Sequence, residues 1–454
     1  MKVHLIAIGG SAMHNLAIAL HQKGDVVTGS DDEIFEPSRT RLADRGLLPA
    51  SDGWFAEKIT EDLDAVIVGM HARADNPELI EAQRLGLQIF SYPEYIFHQT
   101  SDKKRVVIGG SHGKTTTTSM ILHVLQACGM EADYLVGAQL EGFDCMVRLS
   151  STAQVAVIEG DEYLSSPIDR RPKFHLYQPD IALITGIAWD HINVFPTFEN
   201  YIDQFKIFTE QITPNGKLVY CKADAEVQRV ADEAPSNLQK IAYAAHPHVV
   251  RDGVTYLLTD GGEVRLRIFG EHNMQNLNGA LQVCACLGIS EKDFYAAIQS
   301  FKGASKRLEP VLEKSDAVVF KDFAHSPSKL KATTSAFKEQ YPQRRLIACM
   351  ELHTFSSLNK TFLAHYDQSM QLADEALVYF NPHTISHKKL EPLSPDEVRL
   401  AFGSDNVVVY TDAKALVAYL KSLQWHDTNL LLMTSGNFDG VDFAQLAQEL
   451  IGSH

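Results

Sequence analysis

The sequence predicts an α/β protein built on parallel sheets, and three observations carry that expectation. Short apolar runs alternate with helix-period stretches along all 454 residues, the pattern of strands that each need a crossover helix to reach a parallel neighbour. Two of these runs pass directly through glycines into a helical stretch, in VHLIAIGGSAMHN near the N-terminus and in RVVIGGSHGKTTTT from residue 105. Hydrophobic residues make up 45% of the chain, enough for separate cores in roughly three domains at about 150 residues each.

The apolar runs place the elements in order. VHLIAI, VVTGSD, DAVIVGM and LQIFSYPEY read as strands of a first domain over residues 1–98, closed by the polar linker HQTSDKKR. A second domain, 104–302, opens with RVVIGG and continues through VAVIEGD, IALITGIAWD and GKLVY to the helical NLNGALQVCACLGI. A third, 303–454, contains AVVFKDF, RRLIACMEL, EALVYF, NVVVY and NLLLMTSG. There is no internal repeat and no low-complexity tract.

Composition excludes several function classes. Fifty-seven acidic against 41 basic residues give a net charge of −16, which argues against binding nucleic acid or an anionic membrane. The six cysteines have no CxxC spacing, so neither a disulfide framework nor a zinc site is expected. The N-terminal apolar run is broken by Gly9, Gly10, His14 and Asn15, unlike a signal peptide. No stretch approaches the ~18 apolar residues of a membrane span. A cytoplasmic location is expected.

The stretch IGGSHGKTTTT carries the most specific chemistry. A glycine turn between a buried strand and a helix leaves main-chain N–H groups aimed at one point, where the helix dipole also favours negative charge. Gly110, Ser111, His112, Gly113, Lys114, Thr115 and Thr116 would form this phosphate cradle, with Lys114 on the outer phosphates and the Thr115 hydroxyl on a magnesium ion. Ile108 stands where the full P-loop has its first glycine, so this is a shortened form of the motif. Glu159 in VAVIEGDEY and Asp190 and His191 in IALITGIAWDH follow other strands. Parallel strands would bring them to the edge where ligands of such sheets bind.

Six motifs in order resemble those of the Mur ligase family, ATP-dependent amide-forming enzymes of peptidoglycan assembly. They are GSHGKTTT, EGDEY, WDHINVF, GEHNMQN, KRLEP and KDFAHSP. The resemblance spans the chain and implies a three-domain architecture, with Rossmann-like N- and C-terminal domains around a central P-loop ATPase-like domain. It implies that Lys114 and Thr115 hold phosphates and Mg2+, that Glu159 and His191 serve the metal, and that Asn273 and Asn276 lie near the adenine of ATP. Arg307, Asp322 and His325 would come from the third domain. Some members carbamylate a lysine after the Asp-His motif; spacing offers either Lys206 or Phe205 here, and none is assigned.

The rival reading of the first domain is a nicotinamide-dependent oxidoreductase, with Asp31 ending the second strand. Aligned to G-x-G-x-x-G, however, the glycine positions hold Ala7, Gly9 and Ala12, so the first turn glycine is missing. The region also resembles the uridine-diphosphate domain of ligases acting on UDP-N-acetylmuramate. Gly9, Gly10 and Ser11 would then take the diphosphate, with Asp31, His71 and Arg73 as further substrate candidates. A nucleotide switch would need neither the metal-side motifs nor a third domain, and folylpolyglutamate synthases lack this first domain.

The implied reaction joins the lactyl carboxylate of UDP-N-acetylmuramate to an amine through an acyl phosphate. MELHTFSSLNKTF, YFNPHTISH and MTSGNFDG, with DEYLSSPIDRRPKFHLY, resemble members that take ready-made L-alanyl-γ-D-glutamyl-meso-diaminopimelate more than members that add L-alanine. No residue is identified as the base for the amine, and oligomeric state is not legible.

Overall fold

The structure is a computed structural model that describes the chain except residues 138–141, 305–306, 404–405 and 453–454. Lys306, which opens KRLEP, lies outside the described residues. The chain packs as two compact units. The first comprises residues 1–187, 197–244 and 279–297; the second comprises 188–196, 245–278 and 298–454.

In the first unit, β1 (Lys2–Ile6), β2 (Val26–Ser30), β3 (Ala65–Val68) and β4 (Ile89–Ser91) form a parallel sheet in the order β2-β1-β3-β4. The second sheet uses β5 (Lys104–Gly109), β6 (Ala132–Leu135), β7 (Val147–Arg148), β8 (Val155–Glu159), β9 (Ile181–Ile184), β10 (Lys217–Cys221) and β11 (Gln239–Tyr243). Their order is β11-β10-β9-β5-β8-β6-β7, all parallel except β7. Central β5 explains its own sequence: Val106, Val107 and Ile108 have no exposed surface, each worth roughly 1.5–3 kcal/mol of apolar burial.

Two strand expectations need correction. Only Ile89–Ser91 of LQIFSYPEY is strand; Ser91 and Glu94 close a capping box that starts the Tyr92–Gln99 helix. Ser-x-x-Glu satisfies the amides of a helix start, which outweighs the β-prone aromatics. In IALITGIAWD the strand ends at Ile184, and Asp190 and His191 lie well beyond it. Past that end, Ile187 N–H is taken by Asp224.

The second unit holds a six-stranded sheet of β15 (Glu309–Glu313), β16 (Val318–Asp322), β17 (Arg345–Leu352), β18 (Glu375–Phe380), β19 (Val407–Tyr410) and β20 (Thr428–Met433) in the order β15-β16-β20-β17-β18-β19. Alternate residues of β17 enter different cores, Leu346, Ala348 and Met350 one and Ile347 and Cys349 the other. That continuous burial is why the strand reads as an unbroken apolar run.

Antiparallel elements departed from the expected all-parallel pattern. β15 pairs antiparallel with β16 across a bulge. In the same unit β12 (His248–Arg251), β13 (Val254–Thr259) and β14 (Gly262–Arg265) form an antiparallel sheet. Its first turn uses Asp252 and Gly253, both at positive φ (50° and 71°), the Asp-Gly hairpin signal of a two-residue loop.

Candidate active site

The glycine-threonine stretch folds as an open anion cradle. Gly110 has φ 137°, and a Cβ there would collide with Thr185 Oγ1, so only glycine fits. Ser111 is fastened below by two bonds to Gly186 C=O, from its N–H at 3.0 Å and its hydroxyl at 3.1 Å. The Thr185 hydroxyl donates to His112 C=O. Gly113, at φ 79°, then opens the 14-residue Lys114–Ala127 helix with no side-chain cap. The first amide to reach back is Thr117 N–H, to Gly113 C=O at 2.9 Å. Those ahead of it lie at the uncapped helix end, where a phosphate is favoured.

Lys114 and Thr115 each face a carboxylate. The Lys114 ammonium donates to Glu162 Oε2 at 2.6 Å and to Gly110 C=O at 2.5 Å. Burial works against its charge, but Glu162, Asp161 and Glu159 outweigh burial and hold its pKa above the ordinary lysine range. Thr115 Oγ1 donates to Glu159 Oε1 at 2.8 Å, and Glu159 Oε2 accepts Gly137 N–H at 2.9 Å. A hydroxyl and a carboxylate meeting beside a phosphate cradle are the hard oxygen donors that Mg2+ uses. These residues therefore fit the magnesium nucleotide. Among the described residues no group of three His, Cys, Asp or Glu side chains forms a metal cage.

The first-domain turn is built differently. Ala7 adopts φ 68°, holding the left-handed turn that a glycine would make more easily. Gly9 N–H donates to Asp31 Oδ2 at 2.7 Å. A Cβ on Gly10 would lie 3.5 Å from His71 Nδ1, so Gly9, Gly10, Asp31 and His71 converge beside the helix that begins at Ser11. Burial pushes the Asp31 carboxyl up to about 6. Because Asp31 is engaged by its own loop, the geometry does not favour the oxidoreductase reading, in which this acid would bind a ribose hydroxyl. Arg73 stays exposed and pairs with Asp75 at 3.2 Å.

In the second unit, His191 adopts φ 53° and its N–H donates to Asp190 Oδ1 at 2.7 Å. Lys329 Nζ lies 3.9 Å from Asp190 Oδ2. Burial opposes the Asp190 charge, yet Lys329 and then His191 outweigh it and keep the carboxyl below its usual range. His325 is pushed down to about 3 by burial and by Lys329, so it is neutral at physiological pH. Asp322 spends its carboxylate inside the protein, accepting Leu308 N–H and Ala324 N–H, each at 2.7 Å. This fixes the backbone beside Arg307, whose guanidinium lies 4.7 Å from the Phe323 ring centre. Asn273 and Asn276 are buried near the start of the Glu271–Cys286 helix, and Asn273 Nδ2 donates to Phe269 C=O at 2.9 Å.

Three residues were not singled out from sequence. Glu162 sits in the same EGDEY motif as Glu159 and also accepts the Tyr201 hydroxyl at 3.0 Å; its signal was the paired acids. Lys329 had none, since one lysine on a helix resembles any solvated residue. His272 opens the His-Asn-x-x-Asn motif, and its buried Nδ1 has no hydrogen-bond partner among the described residues, an orphan suited to a ligand. Lys206, left unassigned for carbamylation, stands within 3.8 Å of Glu199, Asp203 and Glu233. The Glu233 hydrogen bond leads in raising its pKa, which disfavours the neutral amine that carbamylation requires. Phe205 is fully buried.

Comparison with known proteins adds the family. Residues 2–103 match the model described as Mur ligase family, catalytic domain; 108–284 match Mur ligase middle domain; and 306–436 match Mur ligase, glutamate ligase domain. A UDP-N-acetylmuramate–L-alanine ligase of Caldicellulosiruptor saccharolyticus is 32% identical over 83% of each chain. A UDP-N-acetylmuramate:L-alanyl-γ-D-glutamyl-meso-diaminopimelate ligase from Neisseria meningitides is 26% identical, with TM-score 0.59, over 66% of this chain and 98% of its own. The fold also matches the Thermotoga maritima UDP-N-acetylmuramate-alanine ligase at TM-score 0.68 and 20% identity, over 100% of this chain and 98% of the other. The chain therefore belongs to the Mur ligase family, ATP-dependent enzymes that form amide bonds in peptidoglycan synthesis.

Proposed function

We propose that this enzyme joins the lactyl carboxylate of UDP-N-acetylmuramate to the amine of L-alanyl-γ-D-glutamyl-meso-diaminopimelate. The observation that carries the choice of acceptor is the C-terminal edge of the six-stranded sheet. There Phe355 is 53% exposed, with Lys388 Nζ 4.3 Å from its ring centre. Among the described residues Lys388 has no carboxylate partner. Nearby on the same strand end, His353 is 40% exposed and lies 3.6 Å from the buried Glu351 carboxylate. An exposed ring and an unneutralised ammonium suit a peptide with an aliphatic stem and several carboxylates better than they suit alanine alone.

In the reaction, a carboxylate oxygen attacks the γ-phosphorus of ATP and ADP leaves. The acceptor amine then attacks the acyl carbon, and phosphate departs as the amide forms. The chain's part is positioning and charge: the loop amides of His112–Thr116, beyond the Gly110 turn and the Ser111 N–H that Gly186 takes, and the Lys114 ammonium hold phosphate oxygens against repulsion. Thr115 and Glu159, with His191 as a further metal candidate, would hold Mg2+, which supplies neutralisation of phosphate charge when bound. Asn273 and Asn276 are assigned to the adenine, and Arg307, Asp322 and His325 to the nucleotide, Asp322 through the Leu308 backbone it anchors. Gly10, Ser11 and His71 are assigned to the UDP-sugar, with Gly9 and Asp31 bonded to each other to shape the turn behind them and exposed Arg73 at its margin. The net charge of −16 gives no long-range attraction for these anions, so local cations and helix ends must provide it.

The second reading, ligation of L-alanine, is favoured by the name of the 32% identical relative. Phosphate release with ATP, magnesium and UDP-N-acetylmuramate separates the two. Turnover with the tripeptide and little with L-alanine is expected; preference for L-alanine would overturn the proposed acceptor.

A further inference from the structure

A cavity of about 470 Å3 lies in the second unit, with β13, β15 and β16 in its wall, within the ~300–1,000 Å3 of small-molecule sites. None of the residues assigned to ligation lines it. Tyr341, in its wall, follows the 14-residue Pro327–Gln340 helix, whose other end carries the KDFAHSP motif. Phe320 and Phe269, also in the wall, directly precede KDFAHSP and GEHNMQN, and Phe269 C=O accepts the Asn273 amide, so the cavity adjoins these motifs without sharing an assigned residue.

The lining combines flat apolar surface with unneutralised positive charge. The Phe269 and Phe320 rings meet edge to face at 5.7 Å, and Phe269 and Tyr341 at 6.1 Å. Arg265 and Arg267 are exposed and flank buried Leu266, with Ile268 buried next. Strand β14 ends at Arg265, and both arginines line the cavity. Among the described residues neither guanidinium has an ion-pair or hydrogen-bond partner, although the chain carries 57 acidic and only 41 basic residues. Neighbouring Arg251, by contrast, is engaged by Glu263. Paired guanidinium groups recognise planar or tetrahedral oxyanions by two-pronged hydrogen bonding. Glu313 also lines the cavity, and its charge disfavours a second anionic group. The ligand class is thereby narrowed to a ring with a single oxyanion.

We propose that this cavity is a second binding site, adjoining the ligation site but sharing none of the residues assigned to it, for a small planar molecule bearing one oxyanion, either a phosphate or a carboxylate. The test is isothermal titration of the full chain with 1-naphthyl phosphate and, separately, 1-naphthoate, under saturating ADP and magnesium to occupy the nucleotide site. Saturable binding of at least one probe is expected, and the stronger of the two identifies the oxyanion. The Arg265→Ala/Arg267→Ala variant should weaken it by about tenfold or more, while ATP-dependent phosphate release stays unchanged. Val254→Trp, which adds bulk to the lining, should also abolish binding. Failure of both probes to bind, equal binding by neutral 1-naphthol, or unchanged affinity in both variants would overturn the proposal.

Discussion

Two strand–glycine–helix turns in the first unit, at Ala7–Ser11 and at Gly110–Lys114, share one backbone plan and differ in what surrounds it. Both leave a helix N-terminus without a side-chain cap. The second adds Lys114, Thr115 and the carboxylates Glu159 and Glu162, whereas the first adds Asp31 and His71. An uncapped helix end is a general anion seat. A charged amine and a hydroxyl–carboxylate pair convert one such seat into a place for a metal-bound triphosphate. The other, with no lysine and a carboxylate bound to its own loop, is the turn proposed to take the diphosphate of the UDP-sugar, whose affinity would come from the rest of the molecule.

The largest expected effect tests the charged member of this pair. Lys114→Ala should lower kcat for phosphate release by about 10²–10³-fold, the cost of losing one preorganised charge-stabilising donor. The far-ultraviolet circular dichroism should stay native. Retention of more than a tenth of the activity would remove the distinction between the two turns. Glu162→Gln keeps the shape but removes the carboxylate that holds the lysine, and about a tenfold loss in kcat/KM for ATP is expected. A rise in activity would mean that Glu162 restrains Lys114 instead of placing it.

The first turn is probed by pH. The folded-state pKa of Asp31 is about 6 against an ordinary 3.8, so between these values the folded state binds more protons than the unfolded state. The stabilisation is complete below about 4 and is lost as pH rises through about 6. Asp31→Asn should therefore flatten the dependence of the denaturation midpoint on pH between 4 and 6.5. An identical slope in the variant would place the titration elsewhere. The smallest effect concerns the strained turn residue: Ala7→Gly removes a left-handed alanine and should stabilise the protein by about 0.5–1 kcal/mol, partly offset by the freer unfolded chain. Urea melts that show destabilisation would mean that packing of the Ala7 methyl outweighs its backbone strain.

Much of the site was legible because its chemistry is local. The phosphate turn needs consecutive glycines, one lysine and a hydroxyl within a few residues, so IGGSHGKTTTT carries it without help from distant chain. Glu159 could be placed from the end of an apolar run. His325 could be found from its motif, but not its neutrality, because that depends on burial and on Lys329. The antiparallel β12–β14 sheet was missed although Asp252-Gly253 marks its turn, since its strands are largely half-buried or exposed and the two outer ones carry charges. YPEY reads as strand because aromatic residues favour strands, whereas the Ser91–Glu94 capping box that starts a helix there acts through backbone amides.

By itself the sequence determined the alternation of strands and helices and the strand-to-helix turn proposed to hold phosphate, because period, glycine placement and a strand-to-helix switch are properties of neighbouring residues. Tertiary structure alone decided that Glu162 holds Lys114, that Asp31 is occupied by Gly9, and that Arg265 and Arg267 border an aromatic cavity. Each of these depends on residues far apart in the chain being brought within hydrogen-bonding or van der Waals reach, where burial and a neighbouring charge set protonation and strength. No local pattern encodes that proximity.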